Sequence, residues 1–203
     1  FRWRLDELLR WRRDVRRFRR DRIPNDCLNN LLEAANLAPS VGLSQPWRFV
    51  VVEDPGRRRK IIENFKACNR IASDSYEEQT SKQYAKLKLA GLEEAPVHLA
   101  VYCDSHTEQG RGLGRNTMPE MLLYSVVAAI QNLWLTARSN GVGVGWVSIL
   151  DPELVNSVLE VSNAWKLVAY LCIGYPAEEH LDPELERHRW ESRRPVKDLI
   201  LKR

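Results

Sequence analysis

Along the 203 residues, apolar positions fall alternately into helical and strand rhythms. Leu5, Leu8 and Leu9 recur at i, i+3 and i+4, one face of a helix that should end near the arginine-rich stretch 12–18. Pro24 opens a second helix with Leu28, Leu31, Leu32 and Ala35 on its apolar face. It runs out at Ala38-Pro39, because the residue before a proline is pushed away from helical geometry. After the loop Pro39–Pro46, Trp47–Val52 reads as a buried strand. Asp54 and Pro55 suit the N-cap and first turn of a third helix packed through Ile61, Ile62 and Phe65. Residues 73–94 are polar and helical in pattern, with Tyr76, Tyr84, Leu87 and Leu89 giving a thin apolar stripe; a flap or a surface helical hairpin would both fit.

Val97–Cys103 is the next strand, followed by a loop through Gly110, Gly112, Gly114 and Arg115. A long helix from about Pro119 to Asn140 buries Leu122, Val126, Ala129, Ile130, Leu133 and Ala137, and Asn140-Gly141 is its stop. Then come the strand-like run Val142–Ile149, a short helix capped by Asp151-Pro152, and a last strand Leu167–Ile173. Interleaved helices and strands predict an α+β class with α/β character: a central mixed sheet flanked by helices, in a single domain over residues 1–203. The tail 181–203 is charged yet carries Trp190, Val196, Leu199, Ile200 and Leu201, so it should pack on something, a partner subunit being a fitting recipient.

Composition narrows the class. A hydrophobic content of 44% is ordinary for a soluble protein. The most apolar helix is interrupted by Ser125, Gln131 and Asn132, short of the roughly 18 to 20 apolar residues of a membrane span. The N-terminus is charged at once and does not resemble a secretory signal. Cys27, Cys68, Cys103 and Cys172 are widely spaced, and two lie in strand-like runs, which favours buried thiols over disulfides or a metal site, and a reducing cytoplasm. Net charge is only +4, yet ten arginines fall within the first 22 residues. That local basicity suits an anion- or nucleic-acid-binding module, but no recognition-helix, zinc-finger or RNA-binding signature accompanies it.

The candidate chemistry starts in Arg12-Arg13-Asp14-Val15-Arg16-Arg17-Phe18, where arginines able to grip a phosphate flank one carboxylate. Asp14 is either a counter-ion or a built-in acid or base, and the sequence leaves open whether burial or the arginines dominate its pKa. Gly141-Val142-Gly143-Val144-Gly145 is not a dinucleotide fingerprint, since it follows a helix and lies in a strand. Glycines so placed admit a flat ring or another backbone at close range, or reflect tight helix packing.

These pieces combine into a resemblance. The Arg-Arg-x-x-Arg-x-Phe opening, Pro39-Ser40 leading to Gln45-Pro46-Trp47, Gln131-Asn132-Leu133 in the long helix, and the glycine-rich turn after it resemble the nitroreductase-like flavoprotein superfamily over nearly the whole chain. The resemblance implies an intertwined homodimer with FMN at the subunit interface and an exchanged C-terminal arm. Asp14, where most members have Ser, together with Ala38–Trp47 and Gly145-Trp146-Val147-Ser148-Ile149, is similar to one branch, the flavin-destroying 5,6-dimethylbenzimidazole synthases. In that branch reduced FMN is consumed with O2 and fragmented to 5,6-dimethylbenzimidazole, the lower ligand of vitamin B12, and erythrose 4-phosphate.

The likeness implies roles residue by residue. Arg12, Arg13 and Arg193 would hold the phosphate, Arg16 would lie against the ring's N1/O2 edge, and Val15, Pro39, Ser40, Gly42 and Gly145 would line the flavin, some from the other subunit. Asp14 would be the acid/base, and Ser148 would stand near N5 and C4a. Ser148 read alone is a strand-end hydroxyl bonding its own backbone. Ser44 stands where a bulkier Met is expected. The flap would exclude water, reduced FMN would come from a separate reductase or from NAD(P)H, and neither metal, nucleic acid nor membrane is implied. The competing reading is an NAD(P)H-dependent FMN nitroreductase or dehalogenase, in which the flavin is recycled.

Overall fold

A computed structural model describes residues 2–203; Phe1, where the expected domain begins, lies outside the described residues. The elements follow the apolar rhythm: α1 Arg2–Trp11, α2 Asn25–Asn36, β1 Trp47–Val51, α3 Pro55–Asp74, α4 Glu78–Tyr84, β2 Val97–Asp104, α5 Met121–Ser139, β3 Gly143–Val147, α6 Pro152–Leu159, β4 Trp165–Gly174 and α7 Glu184–Arg187. The caps read from sequence are formed. Asp54 accepts from Arg57 N at 2.7 Å, and Asp151 accepts from Glu153 N at 2.9 Å, each followed by proline in the first turn. Past α5, Gly141 turns at φ +71°, and Val142 N donates to the Ala137 carbonyl at 2.9 Å, closing the helix.

The strands lie in the order β1-β2-β4-β3, and every neighbouring pair is antiparallel. Interleaved helices led to the expectation of a mixed sheet. The crossover through α5 does leave β2 and β3 parallel, but β4 inserts between them and runs against both. Among the described residues, parallel pairing enters only through a bridge between Asp14 and Val144 at the β3 edge.

Both faces of the sheet are buried, which is why β2 and β4 are mostly apolar. Leu99, Val101, Cys103, Ala169, Leu171 and Ile173 face a core shared with α2 and α5, where Leu31, Ile130 and Leu133 are fully enclosed. The alternate residues Ala100, Tyr102, Tyr170 and Cys172 face Ile61 of α3 and Val155 of α6. In this second core the Tyr170 hydroxyl lies 3.0 Å from His98 Nδ1. Burial pushes His98 down to about 4, with Arg58 adding to the effect and a hydrogen bond to backbone at Leu92 opposing it, so the ring is neutral. Cys103 and Cys172 are buried free thiols, as their strand positions imply.

Some apolar faces stay open. Leu5 and Leu9 on α1, Tyr124 and Val127 on α5, and Val196, Leu199, Ile200 and Leu201 in the tail are exposed. Trp190 is different: it packs edge-on against Tyr76 and Tyr84, centroids 5.6 and 6.1 Å away, so the tail reaches the segment 73–94 of its own chain. Among the described residues no helix is long and apolar enough to cross a membrane.

Candidate active site

The arginine stretch reaches its place by covering a sheet edge. β3 ends the sheet, so one side of its backbone would go unpaired. Leaving α1, the chain lays Asp14 beside Val144, and Val15 N donates to the Val144 carbonyl at 3.0 Å. It continues to Pro176, where Arg19 N donates to the Tyr175 carbonyl and Ala177 N to the Arg17 carbonyl, each at 2.9 Å. A Cβ at Gly145 would collide with the Val15 carbonyl, and one at Gly143 would meet the Val15 side chain at 2.7 Å. Of the alternatives open in the sequence, these strand glycines therefore admit another backbone.

Phe18 pins the stretch. Its ring is 5% exposed and fills the space a Cβ on Gly91 would need, with Gly174 and Gly145 beside it. Three backbones without side chains thus form one aromatic socket.

Asp14 completes the edge with its side chain. Oδ1 accepts from Trp146 N at 2.9 Å, and Oδ2 accepts from Arg16 Nε at 2.7 Å. The carboxylate keeps 27% of its side-chain surface open. Burial raises its pKa, outweighing the opposing effects of the Arg16 charge, the Trp146 amide and Arg12. That answers the question left open by the sequence: enclosure wins over the arginines. A carboxyl so placed holds a proton at Oδ1 or Oδ2 more readily than an ordinary aspartate.

The arginines divide the work. The Arg12 guanidinium lies 4.6 Å over the Trp134 ring, and burial lowers its pKa, Arg193 adding to the effect. Arg13 donates through Nε to the Leu181 carbonyl at 2.7 Å, and it is lowered by burial, Arg12 and Arg193. Arg16 Nη1 reaches the Lys88 carbonyl at 3.0 Å, tying the stretch to the segment after α4. Arg193 makes no side-chain ion pair among the described residues. Arg12, Arg13, Asp14, Arg16 and Arg193 border one cavity. Cations crowded so closely favour an anion between them, and a phosphate fits that requirement.

The remaining expected residues lie elsewhere in the chain. Pro39 and Ser40 precede a 3-10 turn, Val41–Leu43, in which Gly42 adopts φ +57°, and Ser40 Oγ accepts from Gln45 N at 3.1 Å. Gly42 borders a separate open cavity with the glycine loop 110–114. Ser44 is buried and its hydroxyl has no partner among the described residues, where the expected Met would have been apolar. Ser148 sits just past β3, exposed, and among the described residues the hydrogen bond to its own backbone that its position suggested is not formed. Gly145 contributes space rather than a direct contact with the arginine cavity.

Several neighbours escaped the sequence reading. Trp134 seats Arg12, and Arg138, one turn further on α5, stacks 3.6 Å over Trp11 and pairs with Glu179 at 2.9 Å. A Trp and an Arg at i, i+4 on a largely apolar helix were the available signal. The Lys88 carbonyl and the Trp146 amide act through backbone, for which side-chain identity carries no signal.

Residues 9–175 match the model of the Nitroreductase family. The chain is 58% identical to a 5,6-dimethylbenzimidazole synthase of Rhodospirillum rubrum, over 96% of this chain and 92% of that protein. It is 42% identical to one of Rhodobacter capsulatus, over 95% and 93% of the two chains. Among solved structures, oxidised iodotyrosine deiodinase bound to FMN and 3-iodo-L-tyrosine is similar at a TM-score of 0.71 and 26% identity, covering 87% of this chain and 91% of that one. Matched in sequence over most of its length and in fold to a flavin-bound relative, the chain belongs to the nitroreductase family.

Proposed function

We propose that this chain makes 5,6-dimethylbenzimidazole by oxygen-dependent fragmentation of reduced FMN, releasing erythrose 4-phosphate. The observation that carries the reading is Asp14: a carboxylate enclosed at the head of an arginine-lined cavity, its pKa raised by burial. A recycled cofactor needs a phosphate grip; a consumed one also needs a proton donor and acceptor fixed beside it. The identity to named synthases over nearly the full chain supports the same choice.

The flavin supplies the reactivity toward O2, and the protein supplies position, charge and protons. Arg12, Arg13 and Arg193 hold the phosphate by charge-assisted bonds, with Arg12 kept on the Trp134 face. Arg16 stabilises negative charge at the reduced ring edge. Asp14 moves the proton, and Ser148 gives a hydroxyl from the end of β3. Pro39, Ser40 and Gly42 do not border the Asp14 cavity within one chain, and the reading assigns them to the partner of a homodimer, with the tail 181–203 as its arm. Segment 73–94 acts as the lid, residues 1–203 as one domain, and the four free thiols fit a reducing cytoplasm.

Purified protein given FMN, NADPH and a nitroarene in air separates the two flavin readings. Loss of FMN with appearance of dimethylbenzimidazole is the expected result. Turnover of the nitroarene with the flavin intact would replace this reading with the nitroreductase one.

A further inference from the structure

We infer that Glu184 is a specificity-determining residue of the anion cavity: by holding Arg17 aside and standing at the cavity wall, it matches the cavity's charge to a phosphate monoester dianion. The inference rests on the reading that this cavity receives the flavin phosphate. Glu184 and Asp14 are the two carboxylates bordering the cavity, against Arg12, Arg13, Arg16 and Arg193. Asp14 is committed to the Trp146 amide and Arg16. Glu184 has a different commitment. Its side chain is 9% exposed, and an enclosed glutamate persists where it is paired. Its partner is Arg17, whose Nη1 lies 3.0 Å from it. His188 Nε2 lies 3.7 Å from the same oxygen.

Arg17 belongs to the same basic stretch as the other arginines, yet it does not border their cavity. It lines a neighbouring one, which Glu184 also borders together with Arg13, Asp14 and Arg16. Glu178 reaches the same Arg17 nitrogen at 3.0 Å from the outer side, and it is 43% exposed. Two carboxylates thus turn one guanidinium away from the grip.

This has a kinetic meaning for the proposed reaction. The phosphate leaves on a product, so a grip that carried a fifth guanidinium and lacked an acid would retain product as firmly as substrate. Glu184 keeps the cavity cationic enough to choose FMN over an uncharged flavin, and short of the charge that would trap the released phosphate ester.

The test is Glu184→Gln, whose amide oxygen can still accept from Arg17, compared with wild type for binding of FMN, riboflavin and inorganic phosphate. One unit of charge a few ångströms from an anion shifts its equilibria by about tenfold, the scale on which a neighbouring charge moves a carboxylate pKa. FMN and phosphate should bind about tenfold tighter, riboflavin should be unmoved, and KM and kcat for FMN should fall together. Glu184→Asp should return toward wild type, and Glu178→Gln, outside the cavity, should change little. The inference fails if FMN affinity does not change, or if FMN and riboflavin shift in parallel, as a purely structural role would require. Failure of wild type to bind FMN would overturn both this inference and the function it rests on.

Discussion

Replacing Phe18 with Ala tests whether the arginine stretch is held where its chemistry requires. The ring is 5% exposed and packs against backbone at Gly91, Gly145 and Gly174. Gly145 and Gly174 lie in paired strands, whose backbone cannot collapse into the void, so the loss belongs in the range of about 3–5 kcal/mol seen for buried Phe→Ala changes. A domain of this size has roughly 5–15 kcal/mol in all, so the chain should remain folded. The other attachments of the stretch are individually weaker: backbone hydrogen bonds such as Val15 to Val144 and Arg19 to Tyr175, each contributing about 1 kcal/mol, the stacking of Arg12 on Trp134 and the ion pairs of Arg17. Detachment of residues 12–18 should therefore be easier than global unfolding. If the attached state falls to about 1% of molecules, apparent FMN affinity falls about 100-fold. Flavin fluorescence quenching gives the affinity and urea unfolding gives the stability. Wild-type FMN affinity in a Phe18→Ala protein that has lost stability would refute the claim that this socket positions the site.

Other expectations follow from the same geometry. Gly145→Ala should displace the Val15 carbonyl and weaken FMN binding severely, whereas Gly141→Ala, with nothing within 4 Å, should cost only about 1 kcal/mol of backbone strain and leave binding intact; paired titrations distinguish them. Asp14→Asn should retain FMN and make no product, measured by chromatography of single turnovers. Because folding raises the Asp14 pKa, the stability linked to its protonation is full below the unfolded value of 3.8 and is lost as pH rises through the folded one. Asp14→Asn should therefore gain on wild type as pH rises through that window, and a pH-independent difference would contradict the burial argument. His98 has the opposite sign: its folded pKa of about 4 lies below the ordinary 6.5, so its contribution is full above 6.5 and is lost as pH falls through 4. Urea midpoints between pH 7 and 4 should show a loss of about 3 kcal/mol that a His98→Gln variant lacks. Ser148→Gly should slow product formation or uncouple oxygen use, and a wild-type rate would return Ser148 to a surface role.

Much of the fold was legible because its signals are local. The Asp54-Pro55 and Asp151-Pro152 caps, the Gly141 stop and the apolar run of β2 each arise from a few neighbouring residues, and each appears where the pattern puts it. Strand direction was not local. Nothing in β4 itself says that it inserts between β2 and β3 rather than at an edge. The site divides the same way. Arg12, Arg13, Asp14 and Arg16 stand in one short motif and stay together, and Arg193 joins them through the path of the tail. The pKa of Asp14 depended on burial, a three-dimensional quantity, and the strand glycines could not reveal that their neighbour is Val15. Glu184 was hidden because a glutamate in a charged tail looks solvated until its enclosure is seen.

The most direct test of the central claim is a single turnover without nicotinamide. The protein is mixed with one equivalent of chemically reduced FMN, exposed to air, and the products are separated by chromatography with mass detection. The account expects 5,6-dimethylbenzimidazole and a tetrose phosphate in amounts that track the flavin lost, and none with Asp14→Asn. Full recovery of oxidised FMN, with hydrogen peroxide accounting for the oxygen, would contradict it.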